Sequence, residues 1–192
     1  MNRMFRNCSN LSNLNLSKFN TSNVTNMYAT FQGCKSLINL DLSSFDTNSV
    51  INFGSTFEGC SNLSNLNISN FRTSNAINMQ MMFRGCSSLK NLDLTNFNTS
   101  KVTDMRYMFS GALINDIDLS NFDTSKVTSM SSMFSGVSEL EYLDLSNFNT
   151  KNVTDMSSMF WNNKNLKTIY VSDLWNTSSL TSSDSMFYNC YS

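Results

Sequence analysis

FRGCSSLKNLDLTNFNTSKVTDMRYM, residues 83–108, is the unit from which the whole chain is copied. Laid in register, its leading phenylalanine falls at Phe5, Phe31, Phe57, Phe83, Phe109, Phe134, Phe160 and Phe187, with steps of 26 residues four times and then 25, 26 and 27. A fixed period of about 20 to 50 residues marks a solenoid, because a unit this short cannot bury its own apolar face and must borrow a core from its stacked neighbours. Residues 1–192 therefore read as one repeat solenoid of about seven rungs, with no separate globular domain.

Inside the unit, Leu89, Leu92, Leu94 and Phe97 follow L-x-x-L-x-L-x-x-F, and the L-x-L step has the period of two of a strand with one buried face. The same slots hold Leu11, Leu14, Leu16 and Phe19 in the first copy and Leu140, Leu143, Leu145 and Phe148 in the sixth. One short strand per repeat, stacked in parallel at about 4.8 Å, is the expectation. Thr99, Val102 and Met105 then mark a brief second strand or an extended corner. Met130, Met133 and Phe134 stand at i, i+3 and i+4, which predicts a short helical turn in each rung with these side chains facing inward.

Two residues after each of the repeating phenylalanines only Gly or Asn occurs: Asn7, Gly33, Gly59, Gly85, Gly111, Gly136, Asn162 and Asn189. These tolerate positive φ most readily, so the backbone is expected to turn left-handed there. Proline is absent altogether, as suits a ladder that uses nearly every backbone N–H. The copies deviate in four places. One residue is missing from SGALINDIDL, where Ile117 and Leu119 still keep strand register; Phe53 takes a methionine slot; Ala76 takes a valine slot; and the last copy, with SDLWNTSSLTSSD, is degenerate.

Hydrophobic residues make up 40% of the chain and charged residues 14%, with a formal net charge of −1. That balance and the lack of a basic run give no reason to expect nucleic acid as a partner. No apolar stretch is long enough to span a bilayer, so this segment does not insert in a membrane by itself. The chain starts and stops inside a repeat without capping units, and is expected to be a segment of a longer protein that carries any signal or anchor elsewhere.

Histidine is absent, no serine has a neighbouring base, and no phosphate, dinucleotide or calcium loop occurs, so neither an enzyme nor a cofactor is expected. Cys8, Cys34, Cys60, Cys86 and Cys190 share one slot. Stacking brings such residues within disulfide range and would line up sulfur for a metal. Ala112 and Val137 fill the slot elsewhere and can neither cross-link nor ligate, and a buried thiol column without metal is the preferred reading.

The outward strand slots form two lanes. One runs Asn15, Asp41, Asn67, Asp93, Asp118, Asp144, Tyr170; the other runs Asn13, Asn39, Asn65, Asn91, Asp116, Tyr142, Thr168. Their C-terminal portion, with Asp93, Asp116, Asp118, Tyr142, Asp144, Tyr170 and the bordering Trp175, is the candidate docking face for a sugar or a peptide, set against a merely solvated face. A third lane, Thr21, Thr47, Thr73, Thr99, Thr124 and Thr150, admits two uses: an outward array that orders ice, or a row of hydroxyls tying a bend to the backbone, which is preferred.

The full pattern M-F-x-G-C-x-x-L-x-x-L-D-L-S-x-F-x-T-S-x-V-x-x-M resembles the BspA-like leucine-rich repeats of bacterial and protozoan surface proteins, in their variety of about 26 residues. The resemblance covers nearly the whole chain. It departs from ordinary leucine-rich repeats in placing Phe19, Phe45, Phe71 and their equivalents where those carry an asparagine ladder. It implies a leucine-rich-repeat solenoid, a place at the cell surface, in an adhesin or lipoprotein, and a non-catalytic role in adhesion to a protein or glycan. A structural spacer is the rival role. It supplies no binding residues.

Overall fold

Alternation of apolar and polar residues over so few positions can bury only one face, and the strands it forms are correspondingly brief. The computed structural model describes residues 1–191; the last residue of the expected 1–192 solenoid lies outside them. Strands β1 (Asn39–Asp41), β2 (Asn65–Asn67), β3 (Tyr142–Asp144) and β4 (Thr168–Tyr170) each have their central apolar residue inward. β1 pairs in parallel with β2, Asn39 opposite Asn65, and β3 with β4, Tyr142 opposite Thr168. The pairing offset is one repeat, as stacking of successive copies requires.

The second strand is reduced to a single residue per rung but never interrupted. Parallel bridges join Asn26 to Asn52, Asn52 to Asn78, Asn78 to Asp104, Asp104 to Ser129, Ser129 to Asp155 and Asp155 to Ser182. On the L-x-L side, by contrast, the described ladder is confined to β1 with β2 and β3 with β4, and residues 13–15, 91–93 and 116–118 lie outside it. The side-chain register survives the deletion, since Leu119 stays buried and Ile117 packs against the core. The backbone ladder is discontinuous with or without a deletion, since residues 13–15 and 91–93 stand one full step of 26 residues from β1 and β2, respectively, and pair with neither.

No helical turn forms among the described residues; turns take its place. In the copy at 81–86, Met81, Phe83 and Gly85 donate their N–H groups to the next rung, to the carbonyls of Arg106, Met108 and Ser110 at 2.8, 2.9 and 2.7 Å. The intervening Met82, Arg84 and Cys86 donate within the rung, each to the residue three places back. A helix would have spent every N–H inside the rung, leaving none for stacking. The alternation needs two left-handed residues per rung. The first was legible: Asn7, Gly33, Gly59, Gly85, Gly111, Gly136, Asn162 and Asn189 all have φ between 61 and 71°. The second falls on Arg3, Ala29, Ser55, Met81, Tyr107, Ser132, Ser158 and Ser185, at 54 to 57°, and no residue type announces it.

The core is a set of columns. Rings of the repeating phenylalanine stack from Phe5 to Phe187 with centroids 5.2 to 6.0 Å apart and planes within 15°. The leucine, methionine and second phenylalanine columns are buried beside them, including Leu94, Phe97, Met105 and Met108, and Phe53 is buried in its methionine slot, tilted against Phe71. At about 25 cal/mol per Å² of apolar surface, columns of this kind are the main favourable term in folding.

Candidate functional site

The geometry of the outward strand lanes begins with how each rung turns its corners. In the copy at 93–106, Asp93 accepts a hydrogen bond from the N–H of Thr95 at 3.0 Å, Asn98 from that of Ser100 at 3.0 Å, and Asp104 from that of Arg106 at 3.1 Å. Each is an Asx turn, a side chain standing in for the backbone where the chain bends. All three recur along the stack, for example at Asn15, Asp41, Asn67, Asp118 and Asp144 in the first set. In the first set the spacing N/D-x-S/T was the available signal, and sequence reasoning took those residues only as an outward lane.

The threonine lane lies inside the molecule. Thr21, Thr47, Thr73, Thr99, Thr124 and Thr150 are all buried. Thr99 Oγ1 donates to the carbonyl of Asp123 at 2.8 Å and accepts the N–H of the same residue at 2.8 Å, and Thr21, Thr47 and Thr73 do the same with the following rung. The column is a row of latches, and burial removes it from any contact with ice. A second tie comes from the asparagine preceding the core phenylalanine: Asn121 donates to the carbonyls of Leu94 and Phe97, and Asn147 to those of Leu119 and Phe122, at 2.7 to 2.9 Å.

The cysteine slot is equally structural. Cys34, Cys60, Cys86 and Cys190 donate their thiols to the carbonyls of Phe5, Phe31, Phe57 and Phe160 at 3.0 to 3.2 Å, and every cysteine is free. Burial pushes the Cys34 thiol up to about 11 and the Cys60 thiol up to about 12, so neither is a thiolate near neutrality. Asn163 occupies the same slot, giving its Nδ2 to the carbonyl of Phe134 at 2.9 Å while its buried Oδ1 has no partner.

Of the candidate docking residues, Asp93, Asp116, Asp118 and Asp144 are exposed, and Tyr142 and Tyr170 keep 57% and 54% of their surface. The two tyrosines sit diagonally, because Tyr142 faces Thr168 across the ladder and Asp144 faces Tyr170. Asp118 and Asp144 line a hollow of about 100 Å³ between their rungs. N–H and hydroxyl donors of Thr95, Ser120 and Ser146 hold the carboxyls of Asp93, Asp118 and Asp144 below the usual carboxylate range. Trp175 stands apart from this set: it fills the slot of the second core phenylalanine and is partly buried against the core, leaving only the border of the face to it. The N-terminal half of the face bears amides instead, over a shallow trough of about 380 Å³ lined by Asn39, Asp41, Asn65, Asn67 and Asn91.

Among the described residues no group of three His, Cys, Asp or Glu side chains is placed to hold a metal ion, and no helix is long and apolar enough to cross a membrane. The arrangement offers carboxylates, amides and tyrosine rings on a fixed polar face, which suits binding.

No protein of curated function matches the chain. Solved structures similar in part include the following two. A leucine-rich repeat protein from Bacteroides ovatus shares 20% identity over 81% of this chain and 44% of that one, with a TM-score of 0.44. The functional domain of InlJ from Listeria monocytogenes, which includes a cysteine ladder, shares 12% identity over 88% of this chain and 50% of that one, with a TM-score of 0.25. This chain thus spans half or less of the length of either. A family profile matches residues 1–115 and again 90–192, together the whole chain, and the chain belongs to that family, described as Mycoplasma protein of unknown function, DUF285.

Proposed function

We propose that this chain is a non-catalytic interaction surface of a cell-surface protein, a solenoid of the BspA-like kind, docking a protein or glycan on the strand face around Asp93, Asp116, Asp118, Tyr142, Asp144 and Tyr170. The observation that carries the reading is the exposure of Tyr142 and Tyr170, each above half, on two adjacent strands whose inward residues are held by the core. Large rings fixed on a rigid support lose little entropy when a partner covers them, which is why such residues dominate recognition surfaces. Screening the folded chain against matrix proteins and glycans tests it. Binding should disappear when Asp118, Asp144 and Tyr170 are replaced together with the circular dichroism unchanged; binding that survives the triple change clears this face of a role.

A second reading is favoured by the two side-chain ties between rungs, from the threonine hydroxyl and the asparagine amide, which serve stacking as a spacer requires. A folded chain that binds nothing in the same screen would decide for the spacer.

A further inference from the structure

We propose that the C-terminal half of the strand face docks a cationic, extended peptide segment, seating lysine or arginine heads among Asp93, Asp118 and Asp144 and against the rings of Tyr142 and Tyr170. The inference rests on the docking reading above and names the chemistry of the partner.

The charge on this half is surplus to the fold. Asn15 and Asn67 accept the N–H of Ser17 and Ser69 at 3.0 and 3.2 Å, and Asp93, Asp118 and Asp144 accept theirs at 3.0, 2.9 and 2.9 Å. An amide makes the same turn as a carboxylate. Three consecutive rungs nevertheless carry a carboxylate, and Asp116 adds another in the neighbouring lane, where Asn13, Asn39, Asn65 and Asn91 stand in the earlier copies. Like charges on adjacent rungs oppose one another, a repulsion that asparagine would not bring and that the turn donors outweigh.

Among the described residues no ion pair neutralises these groups. The ion pairs of the described residues are Arg84 with Glu58, Arg106 with Asp104 and Lys167 with Glu141, none of which involves Asp93, Asp116, Asp118 or Asp144. Lys167, at the border of the face, is already held by Glu141 at 2.7 Å. The hydrogen bonds of Asp93, Asp118 and Asp144 run only to the residue two places on. Their depressed titration keeps them ionised well below neutrality.

An ionised carboxylate only accepts, so the partner must bring donors: an ammonium has three and a guanidinium five, and neither competes with the turn for the bound oxygen. The exposed faces of Tyr142 and Tyr170, on either side of Asp144, add a cation–π surface for the same heads. A neutral glycan, which needs acceptors and donors together, is better matched by the amide half over Asn39, Asn65 and Asn67. The acidic groups follow one another from rung to rung along the lane, so the segment that meets them in turn is extended.

The test uses the full chain and a short fluorescent peptide of alternating lysine and serine, with a glutamate–serine peptide as control, read by anisotropy at low and at physiological salt. The lysine peptide should bind, more weakly as salt rises. Asp118→Asn with Asp144→Asn should weaken it about tenfold, and Tyr142→Ser with Tyr170→Ser several-fold. Asp41→Asn, in the amide half, should leave it unchanged, and all variants should keep the parent circular dichroism. Equal weakening by Asp41→Asn, or none by the double asparagine variant, overturns the proposal. Calcium chloride that displaces the peptide more than sodium chloride of equal ionic strength shows a metal-ion site and overturns it as well. Neutral oligosaccharides that bind and are lost in the tyrosine variant, with no binding of the lysine peptide, sink the cationic partner and keep the docking face; a face that takes neither probe sinks both.

Discussion

The threonine latch gives the sharpest single test of the architecture. Thr99 is fully buried and its hydroxyl makes two hydrogen bonds to Asp123 of the next rung, both at 2.8 Å. Thr99→Val conserves shape, so no cavity opens and the loss is confined to those bonds. Each is worth about 1 kcal/mol net, and more where the abandoned N–H or carbonyl stays away from water, which puts the cost at about 2 to 3 kcal/mol. Thr99→Ser keeps both bonds and deletes one buried methyl group, for about 1 kcal/mol. Urea unfolding followed by far-ultraviolet circular dichroism should therefore rank the parent first, serine second and valine last, with a similar slope for all three. If the slot served only to fill apolar space, valine would match or exceed the parent and serine would be worst. That reversed order would refute the latch.

Further expectations follow from the same columns. Asn163→Cys removes the partnerless Oδ1 and leaves a thiol to donate to Phe134 as Cys190 does to Phe160, so stability should rise by about 1 kcal/mol in the same urea assay; a fall would show that the amide oxygen is satisfied. Alkylation of the native protein, read by mass spectrometry, should label Cys8 readily and spare Cys34, Cys60 and Cys86 until the chain unfolds; early labelling of Cys60 would contradict its burial. Asp41, Asp93, Asp118 and Asp144 titrate lower folded than unfolded, so their contribution is complete above the unfolded value of about 4 and is lost as pH falls through the lower folded values. Melting temperature should be level from neutrality down to about pH 5 and decline below about 4, and Asp118→Asn with Asp144→Asn should make the decline shallower; an unaltered decline would show that these turns do not supply it.

What the sequence disclosed, it disclosed through period. Leu89, Leu94, Phe97 and Met105 lie in fixed slots, and columns of like residues follow once the copies are stacked. The glycine and asparagine slot was legible because only those residues bear positive φ cheaply. The helical turn was misread because Met130, Met133 and Phe134 satisfy an i, i+3, i+4 pattern that a chain of tight turns also satisfies; the left-handed Ser132 that separates the two has no compositional mark. The rung lacking one residue shows a similar limit. Ile117 and Leu119 predicted side-chain register correctly, while the gaps in the ladder at residues 13–15, 91–93 and 116–118 are a backbone matter that no side chain records. On the candidate face, lane membership of Asp118, Asp144, Tyr142 and Tyr170 was readable, whereas the turn bonds of the aspartates and the inward seat of Trp175 depend on where the chain bends.

Every fastening between rungs described above joins a rung to the one directly before or after it, none reaching two rungs away. Pulled from its ends, such a body should peel one coil at a time, and each coil of 26 residues releases about 90 Å of slack at full extension. Mechanical work would then be absorbed in a train of equal small yields in place of one catastrophic rupture, which is the behaviour of a tether that stays attached while it lengthens.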